Sequence, residues 1–295
     1  MQNQMFLIIL SIFLTVGSLV FITIHGLNFG IDFKGGIKLQ YKFSKPVESG
    51  QIQEAVEKTL HEKAVAQQFG DPTQNMFGVE ILKPSKEIAG FSQEVTKALD
   101  SQLGAGTATL VKEEAVGPKA GQELRRKGEL AVIVAWVLIL IYLGYRFDFY
   151  FSPGAILALI HDIIIVLGAF AVTGREINLT VVAAFLTIIG YSVNDTIIVY
   201  DRIRENTRKY KSLLLSDLVN KSINETLSRT IVTSLVVFFV VLVLFLKGEG
   251  DIRDFAFAMI VGVITGTYSS IFIACPCYIF LKKHGHRIGL TSAST

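Results

Sequence analysis

Residues 188–206 read IIGYSVNDTIIVYDRIREN. The stretch begins as an apolar helix of membrane-crossing character, sets Asn194 and Asp195 side by side, resumes with aliphatic residues and ends in charges. A carboxylate at hydrocarbon depth costs free energy that a plain anchor has no reason to carry. Asp195 is therefore a candidate functional residue as soon as the helix is read as a span.

The composition around it supports that reading. Of 295 residues, 51% are hydrophobic and 18% charged, and the mean hydropathy is +0.50. Six apolar runs reach or approach the roughly 20 residues that a hydrocarbon core of about 30 Å demands. They are Met5–Ile24, Leu130–Tyr145, Pro153–Val172, Ile177–Tyr200, Thr230–Leu246 and Phe255–Leu281. The first run has no basic start, outlasts the apolar stretch of a signal peptide and is followed by no A-x-A cleavage pattern, so it is expected to remain as an anchor. With both termini cytoplasmic, the inner short loops hold eleven Lys and Arg, among them Arg146, Arg202 and Lys282, against three outside, Arg175, Lys247 and Arg253. That asymmetry predicts termini inside and a large domain outside. Arg125, Arg126 and Lys127 then lie outside, but they end a long domain, where the bias is weaker. The expected layout is a first span in 1–25, an outer domain over 26–128, spans two to six in 129–284 and a cytoplasmic tail over 285–295.

The outer domain alternates strand and helix patterns. Ile37–Phe43 alternates apolar and polar residues as a half-buried strand does. Gln51–Leu60 gathers Ile52, Ala55, Val56, Thr59 and Leu60 on one helical face. Strands are expected at Ala64–Phe69, Met76–Leu82 and Ala108–Glu113, a turn at Asp71-Pro72, and a second amphipathic helix over Ser85–Leu103 with Ile88, Phe91, Val95 and Leu99 inward. The order β-α-β-β-α-β is the ferredoxin-like plan. The fold class is thus a polytopic α-helical membrane protein with an α+β ferredoxin-like domain. The stretch LNFGIDFKGG (27–36) opens this domain, with Gly30, Gly35 and Gly36 suited to re-aim the chain. VGPKAGQELRRKG (116–128) closes it with a turn at Gly117, Pro118 and Gly121 and a helix from Gln122. The domain offers no nucleophile with its base and no metal cluster, so no enzyme and no cofactor are expected. A net charge of +3 gives no reason to expect nucleic acid. Cys275 and Cys277, either side of Pro276 in the last span, are too few for zinc and wrongly spaced for a C-x-x-C pair, and read as apolar packing.

Ionisable groups stand at depth in three spans: Asp162 beside His161 in the third, Asp195 with Asn194 in the fourth, and Arg229 at the start of the fifth. The fourth span descends and the fifth ascends, so Asp195 and Arg229 are expected at similar depth as a pair. Thr187, Tyr191, Asn194, Asp195 and Ile198 fall at steps of three and four and are expected to share one side of the helix. Two readings stay open. These groups form a structural cluster, with Arg229 snorkelling to the headgroups, or they carry a proton or ion. Hydrocarbon favours the neutral form of an acid and a nearby guanidinium favours the charged form, so an acid that meets and loses its arginine can take up a proton on one side and release it on the other. Each charge crossing 100 mV supplies about 2.3 kcal/mol. For Asp162 a local packing network with His161 and a share in the relay are equally open. Gly262 and Gly266 suit close helix contact, and DRIRENTRKYK (201–211) a solvated amphipathic continuation with Arg202, Arg204 and Arg208 near lipid phosphates.

NFGIDFKGG, VGPKAGQEL, GYSVNDTIIVYDRIREN and NETLSRT (224–230), in a six-span unit with its domain after the first span, closely resemble the SecF family. That family is the smaller half of the bacterial SecDF protein-export complex and is similar to the resistance-nodulation-division exporters. The resemblance implies a SecD partner supplying six further spans, assistance to the SecYEG translocon, and proton flow that moves a periplasmic domain pulling on the exported, unfolded preprotein. It points to Asp195 and Arg229 as the proton-coupling pair, with Asn194 in the same motif. Half of a small-molecule or lipid exporter and a passive translocon scaffold remain as alternatives.

Overall fold

The structure, a computed structural model, describes residues 4–69, 72–82, 90–147 and 150–284. It divides into two units, Phe29–Leu130 and the remainder.

In the first unit the alternation of the opening strand decides the core. Strand β1 (Gly36–Phe43) buries Ile37, Leu39, Tyr41 and Phe43 on one face. Helix α1 (Ser49–Leu60), strands β2 (Ala64–Phe69) and β3 (Met76–Leu82), helix α2 (Phe91–Leu103) and strand β4 (Ala108–Val116) follow. The sheet order is β2-β3-β1-β4 and every neighbouring pair is antiparallel, with Leu39 opposite Val79 and Glu113 and a bulge between Gln40 and Tyr41. This is the expected ferredoxin-like arrangement. Glu48 caps α1 through a capping box with Gln51, and Ile52, Ala55 and Val56 meet Phe91, Val95 and Leu99 of α2 in one apolar cluster with β1. Thr59 departs from the expected face: it is exposed in the last turn, just before His61 takes a left-handed cap that turns the chain to β2. Helix α2 is described from Phe91, with Gly90 at φ +83° leading into it; the expected start at Ser85 and Ile88 lie outside the described residues, as does Asp71.

The opening and closing motifs of this unit touch. A Cβ on Gly35, which has φ +75°, would lie 2.9 Å from Pro118 Cα, and one on Gly121 would lie 2.9 Å from Gly35 N. Glycine is required at both places for the two backbones to cross. Gly30, with φ −72°, has no such need, and instead precedes a single helical turn, Ile31–Lys34. The expected turn at 117–121 is also corrected. A continuous helix begins at Pro118, where a missing N–H is harmless, and Lys127–Glu123 and Arg125–Glu129 pairs support its first turns.

Tyr41 gives this core a pH signature. Its hydroxyl bonds Thr96 Oγ1 at 2.9 Å and donates to Ser92 O at 3.2 Å. Burial pushes the phenol up to about 12. A group whose folded value is raised favours folding fully below the unfolded value and loses that contribution as pH rises. The α+β unit is therefore expected to lose about 3 kcal/mol between pH about 10 and about 12. Denaturant unfolding across that window should show the slope in the wild type and not in Tyr41→Phe; identical slopes would place the phenol in water.

The second unit holds five helices and part of a sixth. In chain order the spans are Gln4–His25, Pro118–Arg146, Ser152–Thr173, Leu179–Lys209, Leu215–Lys247 and Gly250–His284, each long and apolar enough to cross a membrane. Four run several residues beyond an expected end, because polar segments flanking the apolar runs continue the helix instead of breaking it. The fourth is started by Asn178, whose side chain accepts from Val181 N at 2.9 Å. Its tail is less solvated than expected, since Ile203 and Asn206 are buried and Asn206 donates to Ser222 Oγ and Glu225. The fourth and sixth helices approach through the expected glycines: a Cβ on Gly262 would overlap Ile188, and one on Gly266 would lie 3.1 Å from Ser192 Cβ. Gly168 does the same for the third helix against Ser18 of the first. The second helix exposes Ile133, Val137, Leu138 and Ile141 and, among the described residues, meets the apolar core through Trp136, Ile139 and Leu143.

The sixth helix widens into a π turn at Ser270–Ala274, directly before Cys275 and Pro276. Proline lacks the N–H that would continue the ladder and crowds the preceding turn. The Ala274 carbonyl accepts from Tyr200 Oη at 3.0 Å. Cys275 Sγ donates to Ser270 O at 3.3 Å, and Cys275 is buried while Cys277 is half-buried, so the first thiol has a local bond besides apolar packing.

Candidate functional site

Two carboxylates, Asp162 and Asp195, are buried among the helices of the second unit, and the helical repeat explains where each points. Asp162, on the third helix, is fully buried. Ser192 Oγ of the fourth helix donates to its Oδ2 at 2.6 Å and Ser269 Oγ of the sixth at 2.8 Å, while His161 Nδ1 stands 3.0 Å from Oδ1. Three helices are thus joined at one side chain. Ser269 is the residue just ahead of the π turn, so the network ends where the sixth helix departs from regular geometry. His161 Nε2 has no partner among the described residues. Its ring lies 6.3 Å from that of Tyr268, whose hydroxyl bonds Leu7 O and accepts from Ser11 of the first helix.

Asp195 is the opposite case. It is also fully buried, yet neither carboxylate oxygen has a hydrogen-bond partner among the described residues. Arg229 is the cation whose field reaches it, but no hydrogen bond joins the two, and Arg229 is exposed. The expected contact pair is therefore an approach at a distance. On the fifth helix Thr226, Thr230 and Ser234 turn inward at steps of four, which leaves Arg229 one residue off the buried stripe. Thr230 Oγ1 is itself buried without a partner among the described residues.

The expected polar stripe on the fourth helix does not hold as one face. Thr187 and Asn194 are exposed, Tyr191 and Ile198 half-buried, and Asp195 buried. Adjacent residues on a helix differ by about 100°, so Asn194 and Asp195 cannot look the same way. Tyr191 turns to the fifth helix, donating to Ser234 Oγ at 2.9 Å, and Ser234 bonds Thr267 Oγ1 of the sixth at 2.7 Å. Ser192, Ser269 and Tyr200 were not legible as site residues; the nearest signal is Pro276, which announces an irregularity close to Ser269. Among the described residues no three His, Cys, Asp or Glu side chains are grouped to hold a metal.

Six apolar helices with an α+β unit after the first define a multi-pass membrane protein, and a partnerless acid among those helices gives it a candidate site at membrane depth. The sequence matches the family model described as protein export membrane protein SecD/SecF, C-terminal, over residues 95–284, and the SecD/SecF GG motif over residues 20–47. Similar chains include the protein translocase subunit SecF of Magnetococcus marinus, 44% identical over 94% of this chain and 89% of that one. That of Calditerrivibrio nitroreducens is 41% identical over 96% and 93%. The crystal structure of SecDF, a translocon-associated membrane protein from Thermus thermophilus, superposes with a TM-score of 0.85 at 35% identity. It covers 96% of this chain, which spans only 38% of that longer one. SecDF in a super-membrane-facing form gives a TM-score of 0.71. The chain belongs to the SecD/SecF family of protein export membrane proteins. Membership places its role in protein export, a transport role.

Proposed function

We propose that this chain is the SecF-type half of an ion-driven accessory to the Sec translocon, and that Asp195 is its proton-carrying group. The observation that carries the reading is the burial of Asp195 with both oxygens unpartnered and a detached arginine within electrostatic reach. A permanent charge there would only be a cost, whereas an acid that is neutral when Arg229 is remote and ionised when it is near converts proton movement into helix movement. Asn194, on the exposed side of the same turn, faces the surface on which a SecD partner's helices would pack. Asp162 supports the relay by tying the third, fourth and sixth helices together, and its full set of partners favours an anchoring share over proton carriage. Motion of the helices is passed to the outer ferredoxin-like domain. That domain engages the unfolded preprotein late in its passage through SecYEG, with both chain termini cytoplasmic and the domain periplasmic.

The test is export of a secreted reporter by the SecD-containing assembly, with Asp195→Asn and with and without a proton gradient. The gradient-dependent part of export should disappear in the variant while the gradient-independent part stays. Normal, gradient-dependent export by Asp195→Asn would leave the passive scaffold as the better description.

A further inference from the structure

Where the fourth helix leaves its apolar run at Tyr200, its charged turns form one wall of a groove of about 530 Å³ lined by Arg146, Asp201, Arg204, Glu205, Arg208 and Lys209. Positions 201, 204, 205, 208 and 209 share a face by the helical repeat, and Arg146 faces them from the end of the second helix. The two acids are already engaged: Asp201 with Arg146 at 2.9 Å and Glu205 with Arg202 at 2.7 Å. Arg204 and Arg208 have no ion-pair partner among the described residues, and Lys209 stands only over the Tyr210 ring. Three cations therefore remain for a ligand. The negative end of the helix dipole opposes an anion here, but it amounts to about half an elementary charge and is outweighed.

The level of the groove is set by aromatic residues. Lys221 lies 4.8 Å from the centroid of Tyr210 and Lys282 lies 4.6 Å from that of Tyr150, the tyrosine-and-lysine dressing of a membrane–water interface. A volume of this size falls in the range of small-molecule pockets, about 300–1,000 Å³. Guanidinium groups present fixed forks that match phosphate oxygens. We infer that this groove binds the phosphodiester headgroup of an anionic phospholipid, held by Arg204 and Arg208 with Lys209 as a further point charge. The ligand is lipid and not free phosphate because the site opens where headgroup phosphates are concentrated.

The full chain in detergent, titrated with short-chain phosphatidylglycerol and followed by native mass spectrometry, tests this. Phosphatidylglycerol should bind in preference to phosphatidylcholine. Arg204→Gln with Arg208→Gln should weaken it about twenty-five-fold, since each basic residue near a bilayer surface contributes about a fivefold factor. Arg204→Lys with Arg208→Lys should hold binding to within a few-fold, and Arg125→Gln with Arg126→Gln, outside the groove, should leave it unchanged. Equal binding of phosphatidylcholine, or an unaltered affinity in the double glutamine variant, overturns the site. Displacement by inorganic phosphate at concentrations matching the lipid's overturns the lipid as its occupant.

Discussion

Asp195→Val is expected to raise the stability of the isolated chain's membrane helices by about 3 kcal/mol, measured by denaturing-detergent titration or thermal melting in mixed micelles. Valine is of a size similar to aspartate and branches at Cβ where aspartate branches at Cγ, so its two methyl groups fill most of the space of the carboxyl group while carrying no polar atom. What it removes is a fully buried carboxyl group whose oxygens find no donor among the described residues. Such a group carries its desolvation penalty, about 1–3 kcal/mol when neutral and more when ionised, without a compensating bond. The attraction of Arg229 offsets part of this in the native protein, but the arginine is exposed and water screens it. In the assembly with SecD the gain should shrink if partner helices bring donors to Asp195, and comparing the two preparations reads that difference directly. Valine also cannot exchange a proton, so higher stability and loss of gradient-dependent export should arrive in one variant, as expected of a residue kept for function against stability. A drop in stability of the isolated chain would show Asp195 to be satisfied, and the coupling role would lose its physical basis.

How much of this was visible in the sequence depends on whether a feature is one-dimensional. Apolar runs gave six spans, but not the turns by which the helices outrun them, since Leu215–Arg229 is polar and helical at once. Alternation at Ile37–Phe43 and the helical spacing of Ile52, Ala55 and Val56 gave the ferredoxin-like order. The sheet order β2-β3-β1-β4 depends on pairings that no single strand encodes. Asp195 was legible because a charge in an apolar run is anomalous by itself. Its relation to Arg229 was only half legible: similar depth follows from helix direction, but Arg229 lies beside the inward row of Thr226, Thr230 and Ser234, and only the packed bundle fixes that row. The partners of Asp162 were hidden for the same reason. Ser192 and Ser269 are ordinary residues in their own helices, and they matter because three helices bring them to one oxygen atom.

Asp162 should respond in the opposite sense to Asp195, and the choice of replacement separates its two possible roles. Asp162→Ala is expected to cost about 4 kcal/mol in the same unfolding assay, from a cavity at the meeting of three helices and from hydroxyl and imidazole groups left without their shared acceptor. Both serines donate to Oδ2, whereas His161 meets Oδ1. An asparagine can therefore place its oxygen toward Ser192 and Ser269 and its NH2 toward His161 Nδ1, which must then be the accepting nitrogen. On that geometry Asp162→Asn keeps every bond and should hold stability to within about 1 kcal/mol, while the imidazole proton moves to Nε2, a change that nitrogen NMR of His161 can register. If Asp162 is an anchor, gradient-dependent export survives in Asp162→Asn and fails only in Asp162→Ala. Loss of coupling in the asparagine variant, with stability and the histidine tautomer as expected, would make Asp162 a second proton carrier, one helical turn from Asp195 through Ser192. The stable variant thus decides between the roles, because it removes only the capacity to ionise.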